Sequence, residues 1–143
     1  MTKIVNRSLK DKAFDHIDHA LGRPVDPLSE TYREYFAIGR YSELAAEFRN
    51  SPYWEEADGS SSMAYFYVTR AGREALAVHL REIGDPHRLY NVTYENRRLH
   101  DISVVATSRG KAKREAYYKI SDVFEDLTFG EFVKAVKSVR LSS

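Results

Sequence analysis

Cysteine is absent from this chain. Its absence excludes a disulfide framework, a thiolate metal site and a cysteine nucleophile, and it suits a reducing compartment. Long apolar runs are missing as well. No stretch approaches the about 18 consecutive apolar residues of a membrane-spanning helix. Residues 1–12 are polar and charged, unlike a secretory signal, so no membrane association and a cytoplasmic location are expected. Without that signal, Asn91-Val92-Thr93 is a coincidental match to a glycosylation acceptor. Also missing are a Gly-x-Ser-x-Gly elbow, a phosphate-cradling glycine loop and a carboxylate pair with a proton role. The expectation is a protein that is not an enzyme and uses no cofactor. There is no internal repeat and no low-complexity tract.

What is present is ordinary for a folded protein. The 143 residues are 43% hydrophobic and 30% charged, enough for one domain or for two very small ones sharing a core. Ten tyrosines and seven phenylalanines supply large apolar bodies for that core. The net charge of +1 conceals an asymmetry. Residues 1–85 carry 11 Lys and Arg against 14 Asp and Glu, a balance of −3, whereas residues 86–143 carry 11 against 7, a balance of +4. Two parts so charged face different partners, or each other.

Ala13, Phe14, Ile17, Ala20 and Leu21 recur at helical spacing, which predicts a helix over 11–21 closed by Gly22. Ser29 is placed to cap a second helix with Tyr32, Tyr35 and Phe36 on one face, and Ser42 a third with Leu44, Ala45 and Phe48. The period then changes. Tyr53 and Trp54 lead into an Asp58-Gly59 turn and the serine run 60–62, and 63–68 reads as the returning strand. Thr69 caps a fourth helix with a stripe of Ala75, Leu76, Leu80 and Ile83. Gly84 and Pro86 mark the boundary between 1–85 and 86–143. Beyond it, 89–94 and 102–107 read as strands joined by a polar turn over 96–100, and Ser108 caps a helix running toward Phe124. For 127–141 two readings stay open: a helix through Phe129, Phe132, Val133 and Val136, or a last edge strand over 137–141.

Two helices, a turn and a hairpin leading into Tyr67-Val68-Thr69-Arg70-Ala71-Gly72 resemble the winged helix-turn-helix of bacterial regulators. In that string the strand buries alternate residues, Thr caps, and Gly lets the helix start pack closely. The resemblance implies an α+β chain: a winged-helix-like first half and a small basic ββα second half, the two sharing one core or standing apart. His19-Ala20-Leu21-Gly22 with Tyr32-Arg33-x-Tyr35-Phe36, and the stretch Val104 to Lys113, are similar to small uncharacterised proteins of tailed phages and prophages. That likeness implies a phage source and action in the host cytosol, and carries no activity with it.

A helix-turn-helix reads DNA with its second helix, which enters the major groove. Here the corresponding helix, 42–50, offers Glu43 and Glu47 beside Arg49 and Asn50, and the wing offers Glu55, Glu56 and Asp58, an acidic set that phosphates repel. This acidic set instead fits a protein partner, with the carboxylates mimicking nucleic acid. Arg109, Lys111, Lys113 and Arg114 follow the Ser108 cap, where a helix start prefers anions, so they point to phosphates or an acidic partner; the alternative is a solvated face. The ββα order with its Lys-x-Ala-Lys string also resembles the last part of a double-stranded RNA-binding domain. In Asp15-His16-x-Asp18-His19 the two histidines share a helix face, and a surface pair is favoured over a metal site because no third ligand stands at a suitable spacing. The expected function is a non-catalytic phage or prophage accessory protein that binds a host or phage protein complex, for example as an inhibitor of a host defence or regulatory complex. A nucleic-acid-binding regulator using residues 109–114 is the second reading, and a virion or assembly component the third.

Overall fold

The computed structural model describes residues 5–60, 62–95 and 99–142. It is a mixed α+β structure with five helices and two three-stranded antiparallel sheets among the described residues. The contacts divide the chain after Asp85 into two compact units.

In the first unit, α1 (Lys12–Ala20) is followed by β1 (Tyr35–Gly39), α2 (Glu43–Arg49), β2 (Trp54–Ala57), β3 (Met63–Val68) and α3 (Arg70–Glu82). The sheet order is β1-β3-β2. Here one expectation is corrected: no helix follows Ser29, and Tyr35 and Phe36 belong to a strand. Those two residues therefore point to opposite faces instead of sharing one. Phe36 joins the core while Tyr35 is 46% exposed. A strand, not a second helix, stands between the helix of residues 12–20 and that of 43–49.

One face of this sheet packs on the three helices. Phe48 of α2 stacks on Trp54 of β2 with ring centroids 4.0 Å apart, and Phe66 at the sheet centre meets Phe48 edge-on. The Thr69 hydroxyl accepts a hydrogen bond from Gly72 N and donates one to the Pro52 carbonyl. A Cβ at Gly72 would lie 2.7 Å from the Tyr53 carbonyl oxygen, so only glycine lets α3 start this close to the chain before β2. Leu76 and Leu80 are buried, whereas Ile83, expected in the same stripe, is the exposed C-cap.

Both long helices of this unit end in paired closing bonds. Gly22 N donates to His19 O and Arg23 N to Asp18 O; Gly84 N donates to Arg81 O and Asp85 N to Leu80 O. The left-handed glycines (φ +80° and +70°) make these Schellman caps. Each cap delivers a charged residue to one ion cluster. Arg23, itself left-handed at φ 54°, bonds Asp15 and Asp18, and Asp85 accepts from Arg7. Arg7 also binds Asp18 at 2.6 Å and the Pro24 carbonyl at 2.7 Å. Asp18 has no exposed surface, and a buried carboxylate is tolerable only when several donors satisfy it.

The second unit runs β4 (Arg88–Tyr94), β5 (Ile102–Ala106), α4 (Arg109–Ser121), α5 (Phe129–Ala135) and β6 (Val136–Leu141), with sheet order β5-β4-β6. The expected ββα thus continues as a short helix and then an edge strand, and Val136 is both the C-cap of that helix and the first residue of the strand. The turn expected at 96–100 lies outside the described residues over 96–98, as does Ser61 of the serine run. Ala112 and Ala116, both fully buried, let α4 approach Val92 and Val104 of the sheet. A capping box between Thr128 and Glu131 starts α5 and brings Phe132, also fully buried, into this core. The opposite sheet face is mostly polar: beside Leu89, Val105 and Arg140, the Ser103 hydroxyl donates to Asn91, and the Thr93 and Ser138 hydroxyls bond each other.

Candidate functional site

The five acidic candidates are exposed, but the fold does not gather them. Glu43 and Glu47 lie one turn apart on α2, opposite the buried Ala45 and Phe48. Glu55 stands across from Tyr67, and Glu56 across from Phe66, so the two point to opposite faces of the sheet. Glu56 is engaged: Arg49 donates to both its oxygens, at 2.9 and 3.0 Å, and holds its carboxyl below the usual carboxylate range. Asp58 sits in the β2–β3 loop.

The four basic candidates all fall within the first six residues of α4, but not on one side of it: Lys111 and Lys113 are two positions apart and point different ways. Ser108 caps the helix by accepting from Lys111 N. Arg109 reaches β6 and donates from Nε to the Val139 carbonyl at 3.2 Å. Arg114 turns onto the Phe129 ring of α5, 4.8 Å from its centroid, a cation–π contact that anchors the guanidinium. Lys111 is exposed and Lys113 half-buried, and neither forms an ion pair among the described residues. In the first unit, by contrast, Arg7, Arg23, Arg49, Arg70 and Arg73 each meet a carboxylate.

The sheet adds two cations that the sequence reading left out. β4 begins, β5 ends and β6 ends on the same side, because Arg88 pairs with Ala106 and Tyr90 with Leu141. Arg88 and Arg140 are thereby brought to the end from which α4 departs. The signal was present in the sequence: residues 86–94, 102–114 and 137–143 contain no Asp or Glu. All seven acidic residues of this unit fall within 95–101 and 115–131. The strand ends gather the acid-free stretches, while the C-terminal end of α4 leads to Asp122, Glu125 and Asp126. The helix dipole points its positive end the same way. Charge and dipole therefore reinforce one another, at a local cost of about 0.3–1 kcal/mol per cation near a helix start.

The histidine pair has a packing role. His16 and His19 both meet the Phe36 ring edge-on, with centroids 5.5 Å away. Burial, and then Arg33 and Arg23, hold the His19 imidazole below its ordinary value, in the neutral form. The two aspartates beside them belong to the Arg7 and Arg23 cluster.

Among the described residues no helix is long and apolar enough to cross a membrane. No protein-family model, curated protein or solved structure matches this chain.

Proposed function

We propose that this chain is a non-catalytic binding protein whose second unit holds a polyanion, the phosphate backbone of a nucleic acid. The observation that carries this reading is the acid-free end of that unit. Arg109 and Arg114 are anchored there by protein contacts, and Lys111 and Lys113 have no carboxylate partner among the described residues. Cations kept at a helix start against its dipole are compensated when phosphates meet them. Binding of duplex and single-stranded oligonucleotides, followed by fluorescence anisotropy across a salt series, tests the reading. Affinity falls steeply with salt as counterions are released; an absence of salt-sensitive binding at low ionic strength overturns it.

A second reading keeps the protein partner. Glu43 and Glu47 form an outward stripe on α2 in a half of net charge −3, which suits a basic protein surface. The likeness to tailed-phage and prophage proteins supports an accessory protein acting in a bacterial host, against a defence or regulatory complex. Repeated recovery of no partner from host lysate overturns it. Of the winged-helix likeness, the β2–β3 hairpin and the Thr-capped helix after it are retained, used for packing and not for reading DNA.

A further inference from the structure

The face of the first sheet turned away from its helices does not have the composition of a solvated surface. Register assigns it eight positions: Tyr35, Ala37 and Gly39 of β1, Met63, Tyr65 and Tyr67 of β3, and Glu55 and Ala57 of β2. A half-solvated antiparallel sheet carries polar side chains on its outer face, as the second unit does with Asn91, Thr93, Ser103 and Ser138. Here only Glu55 is charged, and three of the eight are tyrosines. Tyr35 is 46% and Tyr67 39% exposed. Tyr35 lies 6.2 Å from Tyr65 and 6.1 Å from Tyr67 between ring centroids, tilted against both. Tyr65 is flanked across the sheet by Ala37 and Ala57, so its ring has only small neighbours in its own row. A Cβ on Gly59 would lie 2.9 Å from that ring; this glycine is the reason the β2–β3 loop admits Tyr65 there.

We infer that this face is a docking surface for an extended, arginine-bearing protein segment. Exposed clustered tyrosines are binding anchors, since their large rigid bodies lose little entropy on contact. The charge on the face selects the partner. Glu55 stands in one row with Tyr67 and Tyr35, so a guanidinium stacked on a phenol ring has a carboxylate within the same row. No Lys or Arg occupies any of the eight positions. The adjoining Arg33 and Arg40 turn their guanidinium groups onto backbone carbonyls, Arg33 onto His19 and Arg40 onto Ser60 and Met63. A single-stranded nucleic acid stacking its bases on these rings would place its phosphates beside Glu55 with no cation on the face to receive them. This site is separate from the basic end of the second unit and does not depend on it.

The test uses the full chain and two ten-residue peptides, one alternating arginine with threonine and one alternating glutamate with threonine. The arginine peptide shifts the Tyr35, Tyr65 and Tyr67 ring resonances, and the glutamate peptide does not. Tyr65→Ala weakens calorimetric binding at least tenfold and Glu55→Gln several-fold, while Glu82→Gln, an exposed carboxylate on α3, leaves it unchanged. Tyr35→Ser, at an edge strand, gives the same reading should Tyr65→Ala disturb folding. Equal binding of the glutamate peptide overturns the inference, as does arginine-peptide binding indifferent to Tyr35→Ser and Glu55→Gln. So does an oligothymidine that shifts the three rings in place of the peptide, or a dimer whose interface covers them.

Discussion

The two units solve the same packing problem and treat charge in opposite ways. Each lays helices on one face of a three-stranded antiparallel sheet and leaves the other face open. The first unit pairs its arginines with carboxylates: Arg7 and Arg23 bond Asp18 of α1, and Arg49 holds Glu56 at the surface. The second leaves Lys111 and Lys113 without a carboxylate partner among the described residues and closes its core with alanines, Val92, Val104 and Phe132. The open faces differ in the reverse sense, tyrosine-rich in the first unit and hydroxyl-rich in the second. Net charge by itself does not identify a binding surface, since a charge satisfied within the fold is not available to a partner.

The largest effect is expected at the ion cluster. Asp18→Ala leaves the buried Arg7 side chain and the half-buried Arg23 each with a partner missing, and costs about 3–5 kcal/mol. Hydrogen exchange should show the loss in amides of α1, α3 and β1–β3. Phe132→Ala opens a cavity in the other core, a loss of about 3–5 kcal/mol at most sites of this kind, with exchange accelerated in β4–β6. If either substitution unprotects both sheets equally, the two units unfold as one and the comparison fails. Gly72→Ala is a smaller test of the first unit, because its new methyl meets the rigid Tyr53 carbonyl. A loss of about 1–3 kcal/mol follows from such overpacking, read by denaturant midpoint.

Lys111→Glu with Lys113→Glu sharpens the contrast of satisfied and free charge. Nucleic-acid binding weakens, and the slope of log affinity against log salt falls by about 2 for two lost phosphate contacts. Stability does not fall, and it rises by about 0.3–1 kcal/mol per substituted cation where the new carboxylate faces the helix start. A loss of stability here would mean that these lysines support the fold.

The smallest effects lie at the extremes of pH and carry opposite signs. Arg23 bonds the Asp15 carboxylate and lowers its value below the ordinary 3.8. The ionised form is thus favoured in the fold, so its contribution is present above 3.8 and lost as pH falls through the lowered value. Burial, with Asp101 nearby, pushes the Tyr94 phenol up from 10.0 to about 12. Its protonated form is favoured, so that contribution is present below 10 and lost as pH rises toward 12. Thermal melts across both ranges should show Asp15→Asn flattening only the acid limb and Tyr94→Phe only the alkaline one.

Much of the local structure was legible in the sequence because its causes are local. Ser42, Thr69 and Ser108 cap helices as their positions required, and Gly22 and Gly84 end them. The stretch 29–39 is ambiguous in sequence because Tyr35 and Phe36 fit either period, and the pairing with β3 that decides between them comes from residues 63–67. The basic candidates are legible because they fall within six residues at the start of one helix. Arg88 and Arg140 are not, since only sheet pairing brings them to that end. The acidic candidates are near in sequence yet divided by the two faces of a strand. Composition alone excludes disulfides and thiolate chemistry, and the distribution of charge divides the chain into an acidic and a basic part. Tertiary structure decided which of those charges remain free and which tyrosines meet solvent, because both depend on partners distant in sequence.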